Sequence, residues 1–422
     1  MELLSNAVRP YAWGSRTTIA ELLGEPVPSP HPQAELWMGA HPGDPSRLVG
    51  SGTSLLDAVQ ADPQTHLGQA VVDRFGTRLP FLLKLLAVEE PLSLQAHPSA
   101  EQALLGHAIE EKAGVARDAP NRNYPDPTPK PELVCAITEF HVLSGFRDPH
   151  TTVRLLRAVQ TPGLAAYVDL LAAEPNSAGL RALFTTWITL PSGALGTLLP
   201  EVLDACVDVV KEHGEFELEC RTVLELGERY PADAGVLASL LLNRVVLAPG
   251  ESLYLPAGNL HAYLHGTAIE ILANSDNVLR GGLTPKYVDV AELLRVLDFG
   301  HGDMPLVPGD AFGPVRTFRT PAPEFELCRV DLTGADSAVL PGGSPRIVLC
   351  VDGELTLRCD GDELVLRRGR AAWFAAGDGP VRLLADGPAC AFGASVGELT
   401  AVAAQTRVAD AAAGDRAGVA GH

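Results

Sequence analysis

The sequence predicts a mainly β protein with an α-helical insert: two jelly-roll-like β-barrels plus one helical domain. Three observations carry that expectation. Residues 1–147 and those after Val245 form short apolar runs broken by Pro or Gly, as at Pro26, Pro28, Pro30, Pro32 and Pro42-Gly43-Asp44-Pro45. Helical spacing of apolar residues is confined to about 151–243. One strand–turn–strand unit occurs twice at a constant offset. Val246-Leu247, Gly250, Leu253-Tyr254-Leu255 and Gly258 match Val365-Leu366, Gly369, Ala372-Trp373-Phe374 and Gly377. Such a unit reads as the hairpin of an antiparallel barrel, with each Gly at a bend.

The elements follow in order. Phe81–Leu86 is a continuous apolar run holding one charge, Lys84, and its length suits a buried strand. Asn123–Pro131 contains four prolines, so it is an extended loop leading into a strand at Glu132–Ile137. Val153, Leu155, Leu156 and Val159 share one helix face. Val202, Leu203, Cys206, Val207 and Val210 repeat at helical spacing behind Pro200, which is placed at a first helical position. Thr222–Tyr230 and Gly235–Asn243 continue the helical signal. Strands return at Val245, and Asp360-Gly361 marks a hairpin turn. The expected division is a discontinuous catalytic barrel (1–150 and 244–312), a helical insert (151–243), a second barrel without a metal site (313–400) and an Ala/Gly-rich tail (401–422). The two repeat copies diverge after their last glycine. Gly258 precedes Asn259-Leu260-His261, whereas Gly377 precedes Asp378-Gly379-Pro380, so the first copy is the one expected to carry chemistry.

Composition narrows the function. At 422 residues and 46% hydrophobic, the chain allows roughly three domains and a core that needs no disulfides. A net charge of −20 argues against a nucleic-acid or anionic-membrane surface. An anionic substrate must therefore meet a local concentration of positive groups. The seven cysteines are scattered, and none forms a C-x-x-C pair, which fits a reducing, cytoplasmic setting and excludes a zinc ribbon. The first residues lack the basic-then-apolar pattern of a signal peptide, and Val236–Leu242 is too short to span a bilayer. The chain is expected to act as a monomer on a small molecule. Only five basic residues are lysine (Lys84, Lys112, Lys130, Lys211, Lys286), and the other 27 are arginine.

Several of those lysines lie beside candidate ligands. Gln95 and His97 stand two apart in a strand-like segment and point to one face. Glu132 follows Lys130-Pro131 at the start of a strand, and His261 lies beyond the strand at Leu253–Pro256. Two imidazoles, a carboxylate and an amide oxygen suit a four-coordinate Zn²⁺ with room for water or substrate; Mn²⁺ or Co²⁺ would also be admitted. Taken singly, each histidine also fits a hydrogen-bonded structural residue, and His31, His41, His107 and His141 are assigned that role. Glu270 begins a stretch that runs through Asp276 and Arg280 to Gly281-Gly282 and Lys286, a loop able to approach a ligand closely. An exposed Asp276–Arg280 pair is the plainer alternative. Lys84 interrupts a buried strand and needs a partner or a role.

Six segments together resemble the type I mannose-6-phosphate isomerases (phosphomannose isomerases). They are Tyr11–Ser15, Ala34–Gly39, Leu92–Pro98, Pro129–Glu132, Pro256–Tyr263 and Ser275–Lys286. The resemblance is strong over about 1–300 and looser beyond. It implies a zinc-dependent, cupin-type enzyme that interconverts mannose 6-phosphate and fructose 6-phosphate, feeding mannose catabolism or GDP-mannose synthesis. On this resemblance the metal ligands fall on Gln95, His97, Glu132 and His261, the active-site arginine on Arg280 and its neighbouring acid on Asp276. Other site residues fall on Ser93, Lys84, Lys130, Glu270, Tyr263 and Lys286. Met38 and Leu279 vary the apolar surroundings only, and Gly281 stands where relatives often have Ala. No segment resembles a nucleotide-sugar pyrophosphorylase.

That chemistry moves a proton between C1 and C2, by a cis-enediol route. It needs a base, an electrophile for the developing oxyanion and a grip on the phosphate. Arg280 fits the electrophile; Asp276 and Lys130 are the acid–base candidates; Ser93, Lys84, Arg280 and Lys286 are the phosphate candidates. Glu270 and Tyr263 line the substrate or support its neighbours. Two rivals share the ligand set: an iron oxygenase on His97, His261 and Glu132, and a non-catalytic sugar-binding protein that kept its metal.

Overall fold

The computed structural model describes residues 1–334 and 336–398. The first strands are β1 (Glu2–Ser5), β2 (Ala7–Arg9), β3 (Glu35–Gly39), β4 (Arg47–Leu48), β5 (Phe81–Val88), β6 (Leu94–Ala96), β7 (Glu132–Ala136) and β8 (Phe140–Phe146). Helices at Thr18–Leu23, Leu55–Ala61, Pro63–Leu67, Gln69–Phe75 and Ala100–Ala113 lie among them. A run of helices from Pro149 to Ser239 separates these strands from β9 (Leu242–Leu247), β10 (Ser252–Leu255), β11 (His261–Ala273) and β12 (Leu279–Gly282). After a helix at Val290–Val296 come β13 (Asp310–Phe312), β14 (Val315–Phe318), β15 (Glu326–Leu332), β16 (Ser337–Leu340) and β17 (Arg346–Asp352). The described strands end with β18 (Glu354–Cys359), β19 (Asp362–Arg367), β20 (Ala371–Phe374), β21 (Val381–Leu384) and β22 (Ala389–Ser395).

The expected fold class is overturned. Helix and strand take nearly equal shares of the described chain, and its sheets are open rather than closed into two jelly-roll barrels. The ten-stranded sheet follows the path β10-β7-β11-β5-β3-β2, with β6, β8, β9 and β12 joined beside it. An eight-stranded sheet follows β13-β14-β15-β22-β17-β20-β1-β4, and a four-stranded one β16-β21-β18-β19. The expectation failed in two places. Neither repeat copy is a hairpin: β9 pairs with β8 and β10 with β7, while β19 pairs with β18 and β20 with β17 and β1. The N-terminal stretch read as strands and turns also holds helices. Ala100–Ala113 buries only Ala103 and Gly106 and exposes Leu104, Leu105 and Ile109, so it has no inward apolar stripe to detect. Its start is fixed instead by a capping box between Ser99 and Gln102, and its end by left-handed Gly114.

Smaller expectations divide similarly. Pro200 lies inside the helix Ser192–Lys211 rather than at a first position. Asp360 and Gly361, both at positive φ, close the two-residue turn between β18 and β19. The expected tail at 401–422 lies outside the described residues.

β5 explains how the site is held. It is buried on both faces, so its sequence is nearly all apolar. Leu83 and Leu85 join Leu133, Ile269 and Ile271 on one face, packed with Ile347, Leu349, Trp373 and Phe392 of the eight-stranded sheet. The other face carries Lys84. There the register aligns Trp37 of β3, Lys84 of β5, Glu270 of β11 and Val134 of β7 in one row. Directly opposed residues share a face, so a charged row is set inside an apolar sheet.

Candidate metal centre

β11 brings the two halves of the site together by bending. Seven residues of straight strand would span about 23 Å. Yet the Tyr263 hydroxyl donates to Glu270 Oε1 at 2.9 Å. The strand turns back at Gly266, where φ is +114° and a Cβ would stand 2.4 Å from the Glu139 carbonyl oxygen. The register with β8 shifts between Tyr263 and His265, just before this bend. One arm of β11 thus carries His261 and Tyr263, the other Glu270, and all three line one cavity.

Pairing on the first arm supplies the rest. His261 stands opposite Gln95, and Gln95 opposite Arg280, so three neighbouring strands align a histidine, an amide and a guanidinium. His97 follows β6 immediately, and Glu132 opens β7. Ligand atoms of His97, Glu132 and His261 all fall within 4.8 Å of one another, and all three residues are buried. Gln95 lines the same cavity; its Nε2 donates to Ser93 Oγ at 3.3 Å, which leaves Oε1 as its remaining donor atom.

The donor set fits a cation. His97 Nδ1 donates to the Asn277 carbonyl (2.7 Å) and His261 Nδ1 to the Asn259 carbonyl (3.1 Å). Those bonds put the ring protons on Nδ1 and leave both Nε2 lone pairs facing Glu132, at 3.3 and 3.4 Å from its two oxygens. Lone pair against carboxylate is repulsive unless positive charge lies between. His97 Nε2 is buried without a hydrogen-bond partner. Burial, reinforced by Lys130, lowers the His97 pKa to about 4, so the ring stays neutral and ready to ligate. Burial works to raise the Glu132 carboxyl, but Lys130 at 2.9 Å and the imidazoles override it and hold the pKa well below the ordinary range. Neutral imidazoles with a carboxylate are zinc ligands by type.

Beneath this lies a second charged group. Lys84 Nζ sits 3.1 Å from Glu270 and 3.7 Å from Glu35, over the face of Trp37. Burial opposes its charge, but the three carboxylates Glu35, Glu270 and Glu132 outweigh burial and raise the pKa. Burial raises Glu270 in turn, against the pull of Lys84. Tyr263 is likewise raised, by burial first and then by Glu270 and Glu132, so its hydroxyl remains a donor.

Along the 275–286 segment, whose Arg280 stands opposite Gln95, the balance of charge reverses. Arg280 is half-buried and makes no ion pair or side-chain hydrogen bond among the described residues. Lys286 is exposed, and its pKa is lowered by partial burial and by Arg280 nearby. Two neighbouring cations with no ion pair among the described residues have the chemistry to receive an anion. Asp276, also exposed, accepts a hydrogen bond from His41 Nε2 at 3.1 Å, which lowers its pKa. His41 Nδ1 accepts from the Gly43 amide at 3.0 Å, so its proton is on Nε2, aimed at Asp276.

Every residue singled out from the sequence is thus located. Gln95, His97, Glu132, His261, Ser93, Lys84, Lys130, Glu270 and Tyr263 lie in or directly beside the cavity, while Asp276, Arg280 and Lys286 belong to the 275–286 segment. Sequence reasoning gave no role to Glu35 and left His41 as structural. Glu35 stands two residues from Trp37 in a buried strand, a spacing that marks one face and was the available signal.

A family model described as "Phosphomannose isomerase type I, catalytic domain" matches residues 1–149. The mannose-6-phosphate isomerase of Salmonella typhimurium is 40% identical over 387 residues, 90% of this chain and 96% of that protein. That of Escherichia coli is 39% identical over 394 residues, 92% of this chain and 98% of its own. A crystal structure of mannose 6-phosphate isomerase in its zinc-bound holo form superposes with a TM-score of 0.86 at 38% identity, covering 94% of this chain and 99% of that one.

Proposed function

This chain belongs to the type I phosphomannose isomerases, and from that premise we propose how its residues divide the work of a metal-dependent aldose–ketose isomerase acting on mannose 6-phosphate. One Zn²⁺ per chain is its cofactor. We assign the ligands to His97, Glu132, His261 and Gln95. When bound, zinc supplies a positive centre that polarises the sugar oxygens. The observation that carries the reading is the aligned row His261–Gln95–Arg280, which sets the metal ligands beside an uncompensated guanidinium.

Arg280 Nη atoms hold the O1 and O2 oxygens as negative charge develops along a cis-enediol route. Asp276, kept ionised by His41, takes the O1 hydroxyl proton as the C1–O5 bond breaks, and the proton is returned to O5. Lys130 Nζ is the group assigned to proton movement at the sugar carbons: as the free amine it takes the C2 proton, and as the ammonium so formed it returns that proton to C1. Ser93 Oγ and Lys286 Nζ, with Arg280, grip the phosphate. Lys84 contributes from behind the cavity, since Glu35 and Glu270 already hold its ammonium. Tyr263 and Glu270 form the wall against which the sugar rests.

No helix among the described residues is long and apolar enough to cross a membrane. The seven cysteines are unpaired, which supports a reducing cytoplasm, and we propose that the chain works as a monomer.

A coupled assay with mannose 6-phosphate, run before and after chelation and again with zinc restored, tests the reading. Arg280→Ala is its sharpest variant: turnover falls by ~10²–10³-fold while zinc content stays at one per chain. Normal isomerisation by that variant would sink the assignment.

A further inference from the structure

The segment that carries Lys130 is a loop leading into β7, and the segment that carries Asp276 is a loop between β11 and β12, the strand in which Arg280 pairs with Gln95. Beyond the pairing of β7 with β11, polar side chains tie the two loops together, and the side chain of Asn277 makes the most of these ties. Asn277 is 0% exposed, and its Nδ2 donates to the carbonyls of Asp126 (2.8 Å) and Thr128 (2.7 Å). Its Oδ1 accepts from the Asp126 amide at 3.2 Å. Its own amide donates to Ser275 Oγ at 3.2 Å, and its carbonyl accepts the His97 Nδ1 proton at 2.7 Å. Asp126 answers from the other side: its Oδ2 accepts from Ser275 Oγ (3.1 Å) and from the Asp276 amide (2.8 Å).

We propose that Asn277 is a positioning residue for the isomerase reaction. Its side chain locks the 126–130 loop to the 275–278 loop, and its carbonyl fixes the tautomer and aim of His97 toward the metal. The inference rests on the function proposed above and deepens it. Asn277 touches neither substrate nor metal; it acts through His97, Asp276 and Lys130.

Two features favour this over a merely structural role. First, the amide of Asn277 satisfies two carbonyls in a proline-rich loop that has no strand or helix partner for them. With the amide gone, the contacts of Ser275 and Asp126 are left to tie the loops, and the Asn277 carbonyl shifts as they loosen. Second, a bond from a ligating imidazole to a carbonyl sets both ring orientation and ligand basicity, and losing such a partner typically costs about 10–100-fold in metal affinity or activity.

The test uses the full-length zinc enzyme. Zinc affinity is measured by competition with a chromophoric chelator, at a temperature well below the unfolding midpoint, for wild type, Asn277→Ala and Asn277→Ser. Serine leaves a hydroxyl that can reach only one of the two carbonyls and serves if the alanine variant does not fold. The expected result is a zinc affinity lower by about 10–100-fold, with kcat reduced at saturating zinc and KM for mannose 6-phosphate changed by less than about threefold. A structural role would lower the unfolding midpoint and leave the zinc affinity of the folded protein intact. Folded variants that bind zinc within about twofold of wild type overturn the proposal. Failure of the wild type itself to bind zinc or isomerise would instead overturn the reading on which it rests.

Discussion

The two β regions of the molecule solve opposite problems with similar strands. The ten-stranded sheet buries Lys84, Lys130, Glu132, Glu270, His97 and His261 within an apolar frame. The core enclosed by the eight- and four-stranded sheets is built from Val, Leu, Ala, Cys and Phe, and Arg346 and Ser395 are the only buried polar side chains on its described strands. Burying a charge costs several kcal/mol unless partners surround it. The first region therefore accepts lower stability in exchange for a preorganised site. The second supplies an apolar backing through the cluster that joins β5 and β11 to β17, β20 and β22. One region holds the chemistry, and the other holds that region in place.

Substitutions can break this division. The largest effect is expected from Glu132→Ala. It removes the carboxylate facing both histidines and leaves Lys130 buried without its partner. Bound zinc should be lost and kcat should fall by a thousandfold or more, roughly 4 kcal/mol of barrier. Metal analysis with steady-state kinetics checks this; retained zinc would refute the ligand set.

Next is Phe392→Ala in the backing region, where the ring is 1% exposed. A cavity of that size costs about 3–5 kcal/mol of stability. Urea unfolding should register the loss, while kcat of the protein still folded stays near wild type. A matching fall in kcat would show that the two regions are not separable.

The third prediction concerns pH. In metal-free protein the folded His97 has a pKa of about 4, against an ordinary value of 6.5. Between these values the unfolded chain binds a proton that the folded chain refuses. Stability is therefore whole above pH 6.5 and declines as pH falls toward 4. The loss attributable to this ring is on the order of 3 kcal/mol. Comparing unfolding of chelated wild type and His97→Asn at pH 7 and pH 4.5 isolates it, and parallel behaviour of the two would refute the assignment. The smallest effect belongs to the hairpin of β18 and β19. Arg358→Ala breaks an exposed pair with Glu363 at 2.8 Å and should change stability by less than about 1 kcal/mol, and activity not at all, by thermal melting and the coupled assay.

Much of the site was legible because its residues break a pattern. Lys84 interrupts an apolar strand, and His261 replaces what the second repeat copy leaves as Pro380. The six linked motifs then fixed the family. The fold was less legible. Helix Ala100–Ala113 hides its periodicity by exposing leucines, and only the spacing of Ser99 and Gln102 betrays it. Strand partners such as β9 with β8 are set by tertiary packing, which local sequence does not encode. His41 and Asn277 carried no signal of their own. Their roles arise from a tautomer and from a buried amide, both of which need coordinates to be seen.

β1 lies between β20 and β4 in the eight-stranded sheet, so a strand made before the metal-binding residues waits for one made long after them. Until those late strands are made, the rear of the nascent metal-binding sheet remains bare and sticky. Synthesis thus imposes a long interval of exposure, and chaperone dependence in the cell should track the time taken to translate residues 310–395.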